Sequence, residues 1–311
     1  SEMCIRDRDN DIPITSIRAL FTDSERNIWM GIGTYGLACI EYTTGKLKSH
    51  SQIPEFAGMT VPTVFSVVQR QNSGDIWFGT YDGGIFIYRK GRKVENLTAE
   101  NCEFVGNSCV SALYEDGHGN CWVGTRGSLG VLLANGKSFL FGHMAFAEKT
   151  RLDWFYVRDI ITDSENSVWI ATSNYGLIHI QGDIHQPSTL KYDNYSFYNG
   201  KLTTNNALCL YKDKTGRLWV GTEGGGLYLY DRQNNCFEAK NQEYNIPGDM
   251  VGSIEEDKNG NLWLGTNAGL GRFDGQKLRK YVHRQEDVHS LPHNYIPVSY
   301  THLTLPTICS V

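Results

Sequence analysis

An all-β chain, a β-propeller of six visible four-stranded blades, is the fold class expected here, on three observations. Six of the seven tryptophans, Trp29, Trp77, Trp122, Trp169, Trp219 and Trp263, recur at intervals of 44 to 50 residues, the length of one four-stranded blade. Each stands in the same short context, best kept in DKTGRLWVGTEGGG at positions 213–226. The 33 glycines among 311 residues fit a chain made of many turns rather than long helices.

Within each copy every position has a physical reason. An acidic residue stands six before the tryptophan at Asp23, Asp116, Asp163, Asp213 and Asp257, where a carboxylate accepts bonds from turn amides; Gln71 departs. Three before it stand Gly74, Gly119, Gly216 and Gly260, with Asn166 in the fourth copy, residues that tolerate the positive φ of a tight hairpin; Arg26 is the exception. Apolar residues flank the tryptophan on both sides, as in Ile76-Trp77-Phe78 and Leu218-Trp219-Val220. Such a strand is buried on both faces, as stacked sheets demand, and the indole fills the wedge between neighbours. A small Gly or Ala follows two later, then Thr in five of six copies, then a second glycine turn such as Tyr81-Asp82-Gly83-Gly84 or Tyr175-Gly176.

Taken in order, blade one is expected to have strands at 17–22, 27–32, 37–42 and 46–50. Blades two to six follow at about 64–97, 110–141, 157–196, 207–239 and 251–282, with turn-marked strands in the same order. Long polar connections, for example 99–108 and 197–206, are where such folds place variable function. Positions 9–297 read as one propeller domain. Positions 1–8, SEMCIRDR, and 298–311, VSYTHLTLPTICSV, do not continue the repeat; both read as translated sequencing adaptor from a metagenomic assembly and are set aside. Positions 289–296 resemble the approach to another blade, so a truncated seven-bladed ring is expected, with apolar surface exposed on the outer flanks of blades one and six.

A net charge of −5 without a basic cluster argues against a nucleic-acid surface. No apolar run approaches the roughly 20 residues needed to span a bilayer. Eight cysteines lack metal spacing and do not recur with the blades; they are expected as strand-packed thiols, and Cys109 with Cys121, flanking one hairpin, is the pair expected if a disulfide forms. No cofactor and no metal site is expected.

The pattern D-x-x-G-x-φ-W-φ-G-T-x-x-G-φ, best kept in DKTGRLWVGTEGGGL and DKNGNLWLGTNAGL, resembles the two-component regulator propeller repeat over six blades, from 17 to about 295. The resemblance implies a fragment of the periplasmic sensor of a hybrid two-component system, anchored by a membrane helix and followed by a histidine kinase that lie outside this region. It also implies a possible homodimer in the parent receptor, and signalling rather than catalysis.

The ligand face is expected where loops joining strands two and three meet the loops joining blades. Tyr35, Tyr81, Asp82, Arg126, Asn174, Tyr175, Glu223 and Asn267 then ring one rim, a composition suited to an oligosaccharide: aromatic faces stack on pyranose rings while carboxylates, amides and guanidinium bond hydroxyls. The plainer reading of each is an ordinary polar turn residue. Trp154, in Asp153-Trp154-Phe155-Tyr156, alone lies outside the repeat register and is the expected stacking platform; the plainer reading is a cap on the hydrophobic rim. Two other classes compete: a propeller lyase of the streptogramin-lyase type and a protein-interaction platform. Against the lyase, the nine histidines show no metal spacing and only His179 falls within a strand, and neither G-x-S-x-G nor a phosphate-binding glycine loop is present.

Overall fold

The computed structural model describes residues 17–141, 155–164, 166–287, 289–291 and 293–296. It contains six four-stranded antiparallel sheets, each formed by four strands consecutive in sequence and in space. Blade one is β1 (Ile17–Thr22), β2 (Ile28–Ile32), β3 (Gly36–Ile40) and β4 (Leu47–Ser49). The later blades open with the inner strands β5 (Val64–Gln69), β9 (Val110–Glu115), β13 (Tyr156–Ser164), β17 (Ala207–Lys212) and β21 (Val251–Glu256). Each tryptophan sits on the second strand: β2, β6 (Ile76–Thr80), β10 (Cys121–Thr125), β14 (Ser167–Ser173), β18 (Leu218–Thr222) and β22 (Leu262–Thr266). The strands β6, β10 and β18 are buried at every residue, as doubly covered strands must be.

The core consists of wedges between blades. Trp29 of blade one clusters with Val64, Val67 and Phe78 of blade two, and Trp122 of blade three with Val157, Ile160 and Ile170 of blade four. Five of the six tryptophans are buried. The acidic residue ahead of them does more than hold a turn. In blade one Asp23 Oδ1 accepts from the backbone N–H of Glu25 and Asn27, while Oδ2 accepts the indole N–H of Trp29 at 2.8 Å. Asp116, Asp213 and Asp257 repeat the arrangement with Trp122, Trp219 and Trp263. Where Gln71 replaces the acid, Trp77 Nε1 is buried without a partner, and the Arg70 guanidinium lies over its ring at 5.0 Å instead.

The small residue two after the tryptophan is explained by a close approach. A Cβ on Gly31 would lie 2.5 Å from Val64 O, on Gly79 2.8 Å from Val110 Cγ1, on Gly124 2.3 Å from Val157 Cγ1 and on Gly221 2.5 Å from Val251 O. In every case the obstacle is the first residues of the next blade's inner strand, so glycine sets how closely blades stack. Blade four has Ala171 there, and its cluster contains the equally small Ala207. The following threonine locks the next turn: Thr80, Thr172 and Thr222 Oγ1 donate to the carbonyls of Gly84, Gly176 and Gly226, and Thr125 and Thr266 do the same for Ser128 and Gly269.

A regularity unseen in the sequence is a one-residue bulge in every inner strand, at Arg18, Phe65, Ser111, Arg158, Leu208 and Gly252, where the register skips. Bulges at the crowded rims of sheets add twist.

Residues after blade six repeat the inter-blade contacts. Gly269 N donates to Asn294 O at 2.7 Å, and a Cβ on Gly265 would lie 2.9 Å from Ile296 O. The outward flank of blade six nevertheless departs from the apolar surface expected of it. Opposite the tryptophans, blades one to five place Phe21, Val68, Tyr114, Ile161 and Tyr211 on the inner strand. On the third strand they place Cys39, Ile87, Val131, His179 and Leu229. Blade six places Glu255 and Arg272 there, and Trp263 is partly exposed. Burial, and then the nearby Asp159, push the Glu255 carboxyl up to about 8. Blade one differs in the other direction, since Met30, Ile32 and Ala38 are buried rather than exposed.

The pairing of Cys109 with Cys121 is also corrected. Cys121 lies opposite Glu115, and Val110 lies opposite Thr125, so the two cysteines sit at opposite ends of one ladder. Strand rise puts them roughly 15 Å apart, beyond disulfide reach. Both are free thiols, and burial pushes Cys121 up to about 12.

Candidate functional site

The turns joining strands two and three are stitched to the connections entering the next blade. Gly84 N donates to Ser108 O, Gly127 N to Phe155 O, Gly176 N to Asn205 O, and both Gly224 N and Gly226 N to Asp249 O. Turns and connections therefore share a face, as the topology of an up-and-down blade requires.

Tyr35, Tyr81, Asp82, Arg126, Asn174, Tyr175, Glu223 and Asn267 all fall in these turns. Tyr81 is exposed and lies edge-on to Phe65 at 5.9 Å; Asp82 is exposed. Arg126 is exposed with its guanidinium 5.6 Å from the Tyr156 ring. Asn267 is exposed and donates to Asp249 Oδ1 at 2.9 Å. Tyr35 is partly buried against Met30 and Ile32. Tyr175 is a correction: its ring is buried against Phe155 in the wedge between blades three and four, so it is a packing residue with no face left for a sugar. Trp154 lies outside the described residues.

The structure brings Asn174 and Glu223 together through the connection between blades four and five. Asn206 Oδ1 accepts from Asn174 N at 3.0 Å, and Asn206 Nδ2 points at Glu223 Oε2, 3.4 Å away. Around them opens a cleft of about 550 Å³ lined by Asn174, Phe197, Tyr198 and Thr203 to Asn206. Among the described residues Phe197 and Tyr198 are the two most exposed large hydrophobics, at 60% and 63%. The connection is held from within. Ser196 and Asn199 form a capping box, Gly200 takes the left-handed conformation at φ 70°, and Leu202 is buried in the wedge below. Thr203 Oγ1 meets Tyr228 OH at 2.5 Å, and Thr204 Oγ1 donates to Glu223 O at 2.8 Å. Sequence reading singled out 197–206 as a variable connection but missed its aromatic pair. The available signal was Phe197-Tyr198 itself, two adjacent rings off the repeat register.

Ser167 Oγ and His179 Nε2 are 2.7 Å apart, but both residues are buried. The imidazole stacks on Trp169 at 3.7 Å and 8°, and Tyr195 and Phe237 close around the indole. No substrate reaches this pair. Burial pushes His179 down to about 4, against the pull of Asp193 and Asp163. Because the unfolded chain protonates near pH 6.5 and the folded one near 4, this contribution to stability is intact above 6.5 and is lost as pH falls toward 4. The loss should reach on the order of 2 kcal/mol by pH 4.5. His179→Leu, the residue blade five carries at Leu229, should flatten this acid limb in urea titrations at pH 7, 5.5 and 4.5; an unchanged limb would assign the effect to another group.

Among the described residues no group of three or more His, Cys, Asp or Glu could hold a metal ion, and no helix is long and apolar enough to cross a membrane.

Comparison with known proteins places this geometry. The two-component regulator propeller model matches residues 105–127, 201–224 and 245–268, so those three segments carry that repeat. Among solved structures, the extracellular domain of a protein described as a hybrid two-component system from B. thetaiotaomicron is 20% identical with a TM-score of 0.66, over 93% of this chain and 36% of that one. Virginiamycin B lyase from Staphylococcus aureus is 15% identical with a TM-score of 0.62, over 88% and 86%. At these identities both likenesses are of fold. The chain spans little more than a third of the sensor chain it resembles. No curated protein matches it.

Proposed function

We propose, from the premise that this chain carries two-component regulator propeller repeats, that it is part of the extracytoplasmic sensor of a hybrid two-component system. On this reading it sits in the periplasm, binds a glycan-derived oligosaccharide on the face of the strand two to three turns, and catalyses nothing itself. The fold likeness to an extracellular sensor domain supports the placement. The observation that carries the ligand reading is the shared face: Tyr81, Asp82, Arg126, Glu223 and Asn267 are all exposed on turns hydrogen-bonded to the connections beside them. A rigid rim with aromatic and polar groups suits a polyhydroxylated ligand.

The test is titration calorimetry of the chain against a panel of neutral and acidic oligosaccharides, followed by hydrogen exchange with the tightest binder. Protection is expected on the strand two to three turns and the inter-blade connections. Protection on the opposite hairpins, around Asp23, Asp116 and Asp213, would sink the reading. Trp154 stays in the proposal, because Phe155 beside it accepts from Gly127 on this face. Trp154→Ala should weaken binding by roughly 1–3 kcal/mol, the scale of a stacked aromatic.

A further inference from the structure

We infer that the cleft between blades four and five is the recognition subsite and that its ligand is an uncharged saccharide, held by stacking on Phe197 and Tyr198 and by the amides of Asn174, Asn205 and Asn206. The inference rests on the saccharide reading above and adds the place and the chemical class.

Three observations converge. The first is the pair of rings: Phe197 and Tyr198 are exposed beside one another, with ring centroids 6.3 Å apart and planes at 69°. Exposed rings on a fixed loop offer apolar faces to the C–H side of a pyranose, at the low ordering cost that a preformed surface carries. The second is unspent hydrogen-bonding capacity. Asn205 Oδ1 accepts from Phe197 N and Asn206 Oδ1 from Asn174 N, which fixes the carboxamides. The Asn205 amide donors and the Asn174 side chain make no hydrogen bond among the described residues, and Asn206 Nδ2 has only the long 3.4 Å contact with Glu223. Fixed amides supply both donors and acceptors, as hydroxyl groups need.

The third is charge. The cleft lining contains no Asp, Glu, Lys, Arg or His. The single cation in 197–206 is Lys201, and its ammonium lies over the Tyr195 ring at 4.3 Å. A formal charge borders the cleft at the Glu223 carboxylate, 3.4 Å from Asn206 Nδ2. A sulfate ester or uronate in this cleft would find no cation among its lining residues and would be repelled by Glu223.

Calorimetry with neutral gluco-, manno- and galacto-oligosaccharides and with sulfated and uronate-bearing ones tests it on the whole chain. Tyr198→Ala and Asn174→Gly are the variants; glycine keeps the positive φ of 75° at 174 while deleting the amide. Tyr42→Ala, an exposed ring after β3 that accepts from Arg26 of the hairpin on the opposite face, is the control. Neutral sugars should bind, each cleft variant should lose about tenfold in affinity, and Tyr42→Ala should bind as the parent does. Full affinity in both cleft variants would overturn the subsite while leaving the saccharide reading standing. Preference for sulfated or uronate sugars would overturn the chemical class. Absence of any saccharide binding would defeat the reading under Proposed function and this inference with it.

Discussion

Trp219→Ala is expected to destabilise the chain by about 3–5 kcal/mol, the range for deleting a fully buried large aromatic. The indole is 0% exposed and fills the wedge against blade six with Tyr244 and Phe273. Its N–H donates to Asp213 Oδ2 at 2.8 Å, so truncation also takes a partner from a buried carboxylate. Arg217 Nε stays 2.7 Å from the same oxygen and keeps the charge compensated. Trp219→Phe separates the two contributions, restoring most of the volume without the N–H. Trp263→Ala should cost markedly less because that ring is partly exposed. Urea denaturation of the three variants decides it: equal losses at 219 and 263 would show that wedge burial is not what the repeat tryptophan supplies.

Gly124→Ala should cost about 1–3 kcal/mol by overpacking, although it adds one methyl group to a strand position where alanine is otherwise tolerated. The new Cβ would lie 2.3 Å from Val157 Cγ1 and 2.6 Å from Val157 Cβ, on the inner strand of the next blade. Relief requires blades three and four to part, and packed interiors resist that. Gly117→Ala in the same blade meets nothing within 4 Å and should be close to neutral. If both substitutions proved neutral in thermal melts, the close approach would not be setting the stacking distance.

The repeat made the blades legible because its strongest signals are local. Trp at the wedge, Asp and Gly in the hairpin and Thr before the second turn each answer a need within about ten residues, so the second strands and their burial follow from the sequence. What stayed hidden depends on partners distant in the chain. The second oxygen of Asp23 or Asp213 serves an indole, which spacing alone does not reveal. The glycine at 124 answers Val157 across a blade boundary. The inner-strand bulge falls on Arg18, Phe65, Ser111, Arg158, Leu208 and Gly252, residues with no chemistry in common, so no pattern announces it. The candidate site shows the same division. Turn positions such as Tyr81, Asn174 and Glu223 follow from the repeat and lie in the turns beside the inter-blade connections, yet Tyr175 is buried because Phe155 covers its ring. The cleft depends on a connection whose shape is set by the Ser196–Asn199 box and by Thr203 meeting Tyr228.

The charged flank of blade six bears on order within the array. Near-identical blades carry no inherent address: the apolar wedge of one fits the inner strand of any other, including one on another molecule, and heterologous stacking of that kind grows into filaments. Glu255 and Arg272 on either side of Trp263 end that equivalence. A neighbour that seats dry against blades one to five would strand a carboxyl group and a guanidinium against blade six. A surface that offers them polar partners or water suits that flank instead, so two residues in 311 are enough to give an otherwise uniform stack a direction.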